Sequence, residues 1–250
     1  MESPGSGWIS NYKVHSFHCN NYSIMRVSSI AKYLQEIAWE HAENCGAGYH
    51  SLLPRNLLWI LYGLKIEINQ FPEWNDDLII ETWGKKYEKL FAYRDFEIRI
   101  EGRAEPCIKA TSSWLLVDSV THRPQRITPE LHKIPALGKD ALPEKPGTID
   151  SFHTQDGAGL RKVVFSDIDI YNHVNNTSYI QYCIDASPGL QANAGNIASF
   201  DIRFIQESHL GDELLIKYCH SGQKILFFGE NTRTGKEVFR ACAGLGSSQG

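Results

Sequence analysis

No apolar run in this 250-residue sequence approaches the roughly 18 residues that a membrane-crossing helix needs, so insertion in a bilayer is not expected. No C-x-x-C pair occurs either. The six cysteines, at positions 19, 45, 107, 183, 219 and 242, are scattered, which argues against a zinc ribbon or a disulfide framework and for reduced thiols. A glycine-rich phosphate cradle is missing, which argues against a nucleotide cofactor. No His, Cys or carboxylate cluster shows ligand spacing, so neither metal nor cofactor is expected. Charge of one sign is scarce: a net charge of −4 gives nothing global for nucleic acid or an anionic membrane surface. The first residues, Met1 to Gly7, carry no basic, apolar or Arg-rich targeting pattern.

What is present is enough apolar material, 42%, for one large domain or two of about 100 to 125 residues. Alternation from Trp8 to Phe17 predicts a strand. Ser28-Ser29 is the expected cap of a long helix through Asn44, with Ile30, Tyr33, Leu34, Ile37, Ala38 and Ala42 on its apolar face and Cys45-Gly46 at its end. His41, beside that face, reads as structural. The period then changes to two, predicting strands at Trp59–Ile68, Leu78–Trp83, Phe91–Ile100 and Ile108–Val117, with a charged turn at Lys85–Lys89. Five of the ten prolines fall between Pro124 and Pro146, the mark of a linker. Beyond it come a helix over Asn176–Ala186 and strands at Ile197–Ile205, Glu213–Cys219, Ile225–Asn231 and Val238–Gly246. Both halves read as helix, strand, Asp-bearing turn and three more strands, an internal duplication. Laying Val27-Ser28-Ser29 on Val174-Asn175-Asn176 sets Tyr22 opposite Asp169 and Arg26 opposite His173. Chemistry is therefore expected in the second half alone.

The chemistry lies in Phe165 to Ala186. Asp167, Asp169, Asn172, His173, Asn175 and Asn176 crowd an irregular segment before the helix, where Asn175 or Asn176 stands at the N-cap and Ser187-Pro188-Gly189 ends the run. A carboxylate and an imidazole thus precede a helix N-terminus whose N–H groups favour negative charge, the raw material of acyl transfer.

The motif Asp-x-Asp-x-x-x-His-Val-Asn-Asn-x-x-Tyr followed by an apolar helix resembles the active-site loop and central helix of hot-dog-fold thioesterases, in particular acyl-acyl-carrier-protein thioesterases of plants and bacteria. The resemblance extends to Leu34-Gln35-Glu36, Phe71-Pro72, Trp74, Asp76, Ile80 to Trp83, Arg94-Asp95 and Gln125 to Thr128. It implies an α+β fold of two tandem hot-dog units, each a long central helix wrapped by an antiparallel sheet. The expected division is an acyl-binding unit over 8–122, a Pro-rich linker over 123–158 and a catalytic unit over 159–246. The family's catalytic Asp, His and Glu fall on Asp169, His173 and Glu207. The family's Asn position is Tyr171 here, with Asn172 one residue on, and its Cys position is Ser208, so a Cys-His-Asn mechanism is not expected. Cys183, on the apolar helix face, reads as core.

These expectations combine into hydrolysis of a fatty acyl thioester by water. Glu207 or Asp169 acts as base, His173 orients, Asn172 assists, and N–H groups near Asn175 and Asn176 receive the oxyanion. Ser208 borders the substrate, and Trp59, with Ile60, Tyr62 and Leu64, is a candidate lining of the acyl slot. The implied partner is acyl carrier protein, an acidic protein, met by a basic patch drawn from Lys85, Lys86, Lys89, Arg94, Arg161 and Lys162. Plant members need a plastid transit peptide, so its lack favours a bacterial cytoplasmic protein or a trimmed chain; a homodimer stays open. The alternatives are an acyl-CoA thioesterase of the same fold and a non-catalytic acyl-binding module.

Overall fold

A computed structural model describes residues 7–152 and 155–246. Residues 153 and 154 of the expected linker, and most of the N-terminal segment, lie outside the described residues. The chain divides into two compact units, Met1–Lys145 and Pro146–Gly250.

The first unit runs β1 (Trp8–Lys13), α1 (Val27–Asn44), a short α2 (Tyr49–Leu52), β2 (Leu57–Ile68), β3 (Asp77–Glu88), β4 (Phe91–Ile100) and β5 (Ile108–Asp118). Its strands pair antiparallel in the order β1-β3-β4-β5-β2. α1 buries Ile30, Leu34, Ile37 and Ala38, as its periodicity requires. Three local expectations fail, the first being the strand expected over Trp8–Phe17, which ends at Lys13 ahead of a 3₁₀ turn at Ser16–His18. The cap of α1 is Arg26, without a side-chain hydrogen bond, because Ser28 and Ser29 are already buried in the first turn. The charged segment 85–88 is strand, not turn: its residues pair with β4 as far as Glu88–Phe91, and the reversal comes at Lys89, whose φ is 53°.

Residues 124–145 hold little regular structure but are tied to the first unit. The Ala141 N–H donates to Asp95 at 2.8 Å, Trp83 Nε1 donates to the Lys139 carbonyl at 2.9 Å, and Ile127 and Leu131 join Leu52 and Leu116 in a buried cluster. His41 is buried and within 2.9 Å of the Arg94 guanidinium; burial, then the neighbouring cation, pushes its pKa down to about 3, so it is neutral and structural. Arg94 itself is buried, and the Lys85 ammonium pairs with buried Asp95 at 3.3 Å, so neither is available to the basic docking patch expected of them. Of the others, Lys86 pairs with Glu88 at 2.9 Å and Arg161 lies against Asp167, while Lys89 and Lys162 are exposed.

The second unit runs β6 (Gly157–Lys162), α3 (Asn176–Ala186), a short α4 (Pro188–Ala192), β7 (Ile197–Phe204), β8 (Glu213–Ser221), β9 (Lys224–Asn231) and β10 (Lys236–Leu245). The strand order is β6-β8-β9-β10-β7, all antiparallel. Numbering strands within each unit, both read first, third, fourth, fifth, second. α3 buries Thr177, Tyr179, Ile180, Tyr182 and Cys183. Cys183 is wholly buried and its thiol is pushed well up by burial, as a core residue's would be.

Candidate active site

The segment between β6 and α3 is a chain of tight turns. The Asp167 carboxylate accepts the Val164 N–H at 2.9 Å and faces Arg161, so this buried acid shapes the loop. Next, the Asp169 N–H donates to the His173 carbonyl at 2.9 Å and the Asn172 N–H to the Asp169 carbonyl at 3.0 Å. That reversal sets Asn172 at φ 64°, a left-handed conformation that Asn tolerates better than most residues. Asn172 is exposed there. Then the Asn175 N–H donates to the Asp167 carbonyl at 2.8 Å and the helix begins.

The N-cap is Asn175: its Oδ1 accepts the Thr177 N–H at 2.9 Å and the Thr177 hydroxyl at 2.6 Å. Asn176 follows as the first helical residue, and its N–H has no acceptor within the helix. Replacing Asn175 by Ala is expected to cost about 1 kcal/mol of stability, and by Gly only a few tenths. Equal losses in urea titrations of the two variants would show that the cap carries no weight.

His173 and Glu207 meet. Nε2 of the half-buried imidazole lies 3.3 Å from Glu207 Oε2. The contact arises because the Ser208 carbonyl accepts the Val174 N–H at 2.9 Å, laying the segment after β7 beside the loop. Ser208 is wholly buried beneath this crossing, facing Tyr179, whose phenol is raised by burial. His209 follows at the rim, its ring edge-on to His173 with centroids 4.9 Å apart. Sequence reasoning missed it. The spacing Glu207-x-His209 in an extended segment, which turns both side chains to one side, is the signal that points to it.

Asp169, also half-buried, is turned by its own loop. Oδ1 accepts the Tyr171 N–H at 2.9 Å. Burial raises its pKa above the usual aspartate value, against the N–H groups of Tyr171 and His173, and the Glu207 charge pushes the same way as burial. A carboxyl whose folded pKa is raised weakens folding when ionised. That cost is absent below the unfolded value of about 3.9 and complete above the folded one. Asp169→Asn keeps an oxygen for Tyr171 and removes the charge, so its denaturation midpoint should exceed that of wild type at pH 7 and match it near pH 3. A midpoint lowered at both pH values would reverse this account of Asp169.

Trp59 lies on β2 in the first unit, half-buried, with Nε1 donating to the Ala47 carbonyl at 3.0 Å. The first unit repeats the loop but not its chemistry. The hydrogen bonds Asn20 N–H to Ile24 O, Ser23 N–H to Asn20 O and Arg26 N–H to His18 O reproduce those from Asp169, Asn172 and Asn175, and Ser23, like Asn172, has positive φ at 61°. Similarly, the N–H groups of Glu73 and His209 donate to Asp76 and Asp212 in matching turns. Asn20, Ile24 and Phe71 therefore stand in place of Asp169, His173 and Glu207. The register expected from sequence is two residues off, because the likeness of the two Val-led triplets hid that α1 starts at Val27 itself.

The acyl-ACP thioesterase N-terminal domain family matches residues 5–134, and the acyl-ACP thioesterase C-terminal domain family matches residues 154–238. Among curated relatives, oleoyl-acyl carrier protein thioesterase 2, chloroplastic, of Arabidopsis thaliana is 27% identical over 202 residues, covering 74% of this chain and 55% of that protein. The palmitoyl-acyl carrier protein thioesterase, chloroplastic, of the same plant is 24% identical over 71% of this chain and 46% of its own length. The chain thus spans about half the length of the curated relatives it matches. Two solved structures share the fold. An acyl-ACP thioesterase from Bacteroides thetaiotaomicron superposes with a TM-score of 0.84 at 22% identity, covering 95% of this chain and 97% of its own. The 12:0-ACP thioesterase from Umbellularia californica gives 0.83 at 19% identity, covering 98% of each chain. The fold is of the hot-dog type, and with both domain families matched in order along its length, the chain belongs to the acyl-ACP thioesterase family.

Proposed function

We propose that this protein hydrolyses fatty acyl thioesters of acyl carrier protein, releasing the free acid and the carrier thiol. The observation that carries the reading is the 3.3 Å contact of His173 Nε2 with Glu207 Oε2, beside a half-buried Asp169 and ahead of the N-terminus of α3. Family membership and the named activity of the relatives support it. Glu207 is assigned as the base: its carboxylate turns toward the imidazole, whereas Asp169 directs Oδ1 to its own loop at Tyr171. Glu207 takes a proton from water, water oxygen attacks the thioester carbon, and His173 orients the groups. The Asn176 N–H, at the positive end of α3, receives the developing oxyanion, a type of donor typically responsible for about 3 kcal/mol of barrier lowering. Collapse of the tetrahedral intermediate expels the thiolate, a good leaving group, and the proton held by Glu207 passes to it, giving the carrier thiol and restoring the carboxylate. Asn172 and Ser208 are assigned to the loop and its support instead of the substrate, given the left-handed turn at one and the burial of the other.

The matching strand orders and turn hydrogen bonds of the units support a tandem hot-dog chain, with Asn20, Ile24 and Phe71 leaving the first copy without acid or imidazole at those three positions. That copy is assigned to hold the acyl chain, with Trp59 on its sheet as a lining residue. The experiment is release of thiol from a panel of acyl-carrier-protein and acyl-CoA thioesters. Turnover on the carrier series supports the proposal. Turnover on CoA esters alone would replace the partner, and no turnover on either would leave a binding module.

A further inference from the structure

Glu207, Ser208 and His209 leave β7 with burial alternating along them: Ser208 is buried while its neighbours turn outward. The bond from the Val174 N–H to the Ser208 carbonyl fixes this segment against His173, and the His209 N–H is anchored on Asp212 Oδ2 at 3.0 Å. Asp212 is held in turn by Arg233 at 2.8 Å. Three donors therefore converge from a rigidly tied backbone. His173, Glu207 and His209 each offer one ligand atom within 4.8 Å of the others.

We propose that these three side chains form a binding site for a divalent transition-metal ion of the zinc class, and that its occupancy stops hydrolysis. Two imidazoles and one carboxylate make a donor set suited to such an ion, at ligand distances of about 2.0–2.2 Å. Donors at those distances on a tetrahedral ion stand roughly 3.4 Å apart, and the 3.3 Å between His173 and Glu207 already meets that spacing. His209 is exposed with its backbone pinned, so rotation of its side chain alone brings in the third donor. Magnesium and calcium ions, which favour shells of oxygen, find one carboxylate here and are disfavoured. The inhibitory half of the proposal rests on the function proposed above. An ion held by Glu207 occupies the lone pair that takes the proton from water, and it fixes a nitrogen of His173.

The test uses the whole protein, stripped with a chelator, beside His209→Ala. Cobalt(II) is titrated without substrate and followed by visible absorption, and zinc(II) is titrated by calorimetry and in the turnover assay. Wild type should bind one ion per chain and lose turnover as zinc is added, with chelator restoring it. His209→Ala alters an exposed side chain outside the hydrolytic set. It should keep the wild-type denaturation midpoint and metal-free turnover while its metal affinity and zinc inhibition both weaken at least about 100-fold. No binding by wild type, or equal binding by both proteins, would overturn the site. Zinc that raises turnover would overturn the blocking role. A metal-free wild type that hydrolyses nothing would count against the thioesterase reading only, with the cobalt titration still deciding the site.

Discussion

Replacing Glu207 by Gln is expected to lower kcat at least about 100-fold while leaving the protein folded, since a positioned general base contributes ~10²–10⁴ fold. The amide keeps the shape of the side chain and can still meet His173, but it cannot accept a proton from water. The half-buried position of Glu207 in the segment after β7 means that the substitution opens no cavity. A loss shared equally by kcat and kcat/KM is the form expected for an interaction made only in the transition state. A raised KM with kcat intact would move Glu207 from the base to a binding role. Turnover within a few fold of wild type would remove it from the chemistry, leaving Asp169 as the base.

The long elements were legible because each carries one period. α3 begins and ends where the sequence placed it, at Asn176 and Ala186, and β4 matches Phe91–Ile100 residue for residue. β6 was not foreseen, and its sequence Gly-Ala-Gly-Leu-Arg-Lys explains why. Strand propensity is poor there, yet a Cβ on Gly157 would lie 2.3 Å from the Tyr218 ring on the paired strand. Close approach across the sheet, invisible in a single segment, selects the glycine. Site legibility follows the same division. Asp169 and His173 sit four residues apart in one loop and announce themselves. Glu207 reaches them through a backbone bond between Val174 and Ser208 that no local pattern encodes, so it was reached through family likeness alone. His209 belongs to no motif: only its two-residue spacing from Glu207 points to it, and its place beside the His173 ring is set by the fold.

The support beneath that crossing can be tested through Phe239, where the largest loss of stability is expected. Phe239 on β10 is fully buried and pairs with Phe204 on one side and Gly229 on the other. Its ring covers Gly229 so closely that a Cβ there would come within 2.2 Å of it. The same ring meets Tyr179 of α3, with centroids 5.3 Å apart, and Tyr179 in turn faces Ser208. Phe239 thus joins the sheet to the central helix, and Tyr179 joins that helix to the segment bearing Glu207. Phe239→Ala removes the ring from a position that neither the strand pairing nor the helix can collapse to fill, at a cost of about 3–5 kcal/mol. For a chain of this size that lowers the thermal midpoint by roughly 6–20 °C. Gly229→Ala, which forces a methyl group into the same ring, should cost about 1–3 kcal/mol by overpacking. Because the two residues touch, the losses should not add: Gly229→Ala placed in the Phe239→Ala background should be far milder than alone. Urea titrations of the two single variants and the double variant measure this coupling. Strict additivity would mean that Gly229 is not required by the ring, and a Phe239→Ala loss below about 1 kcal/mol would mean that the helix and sheet are held together elsewhere.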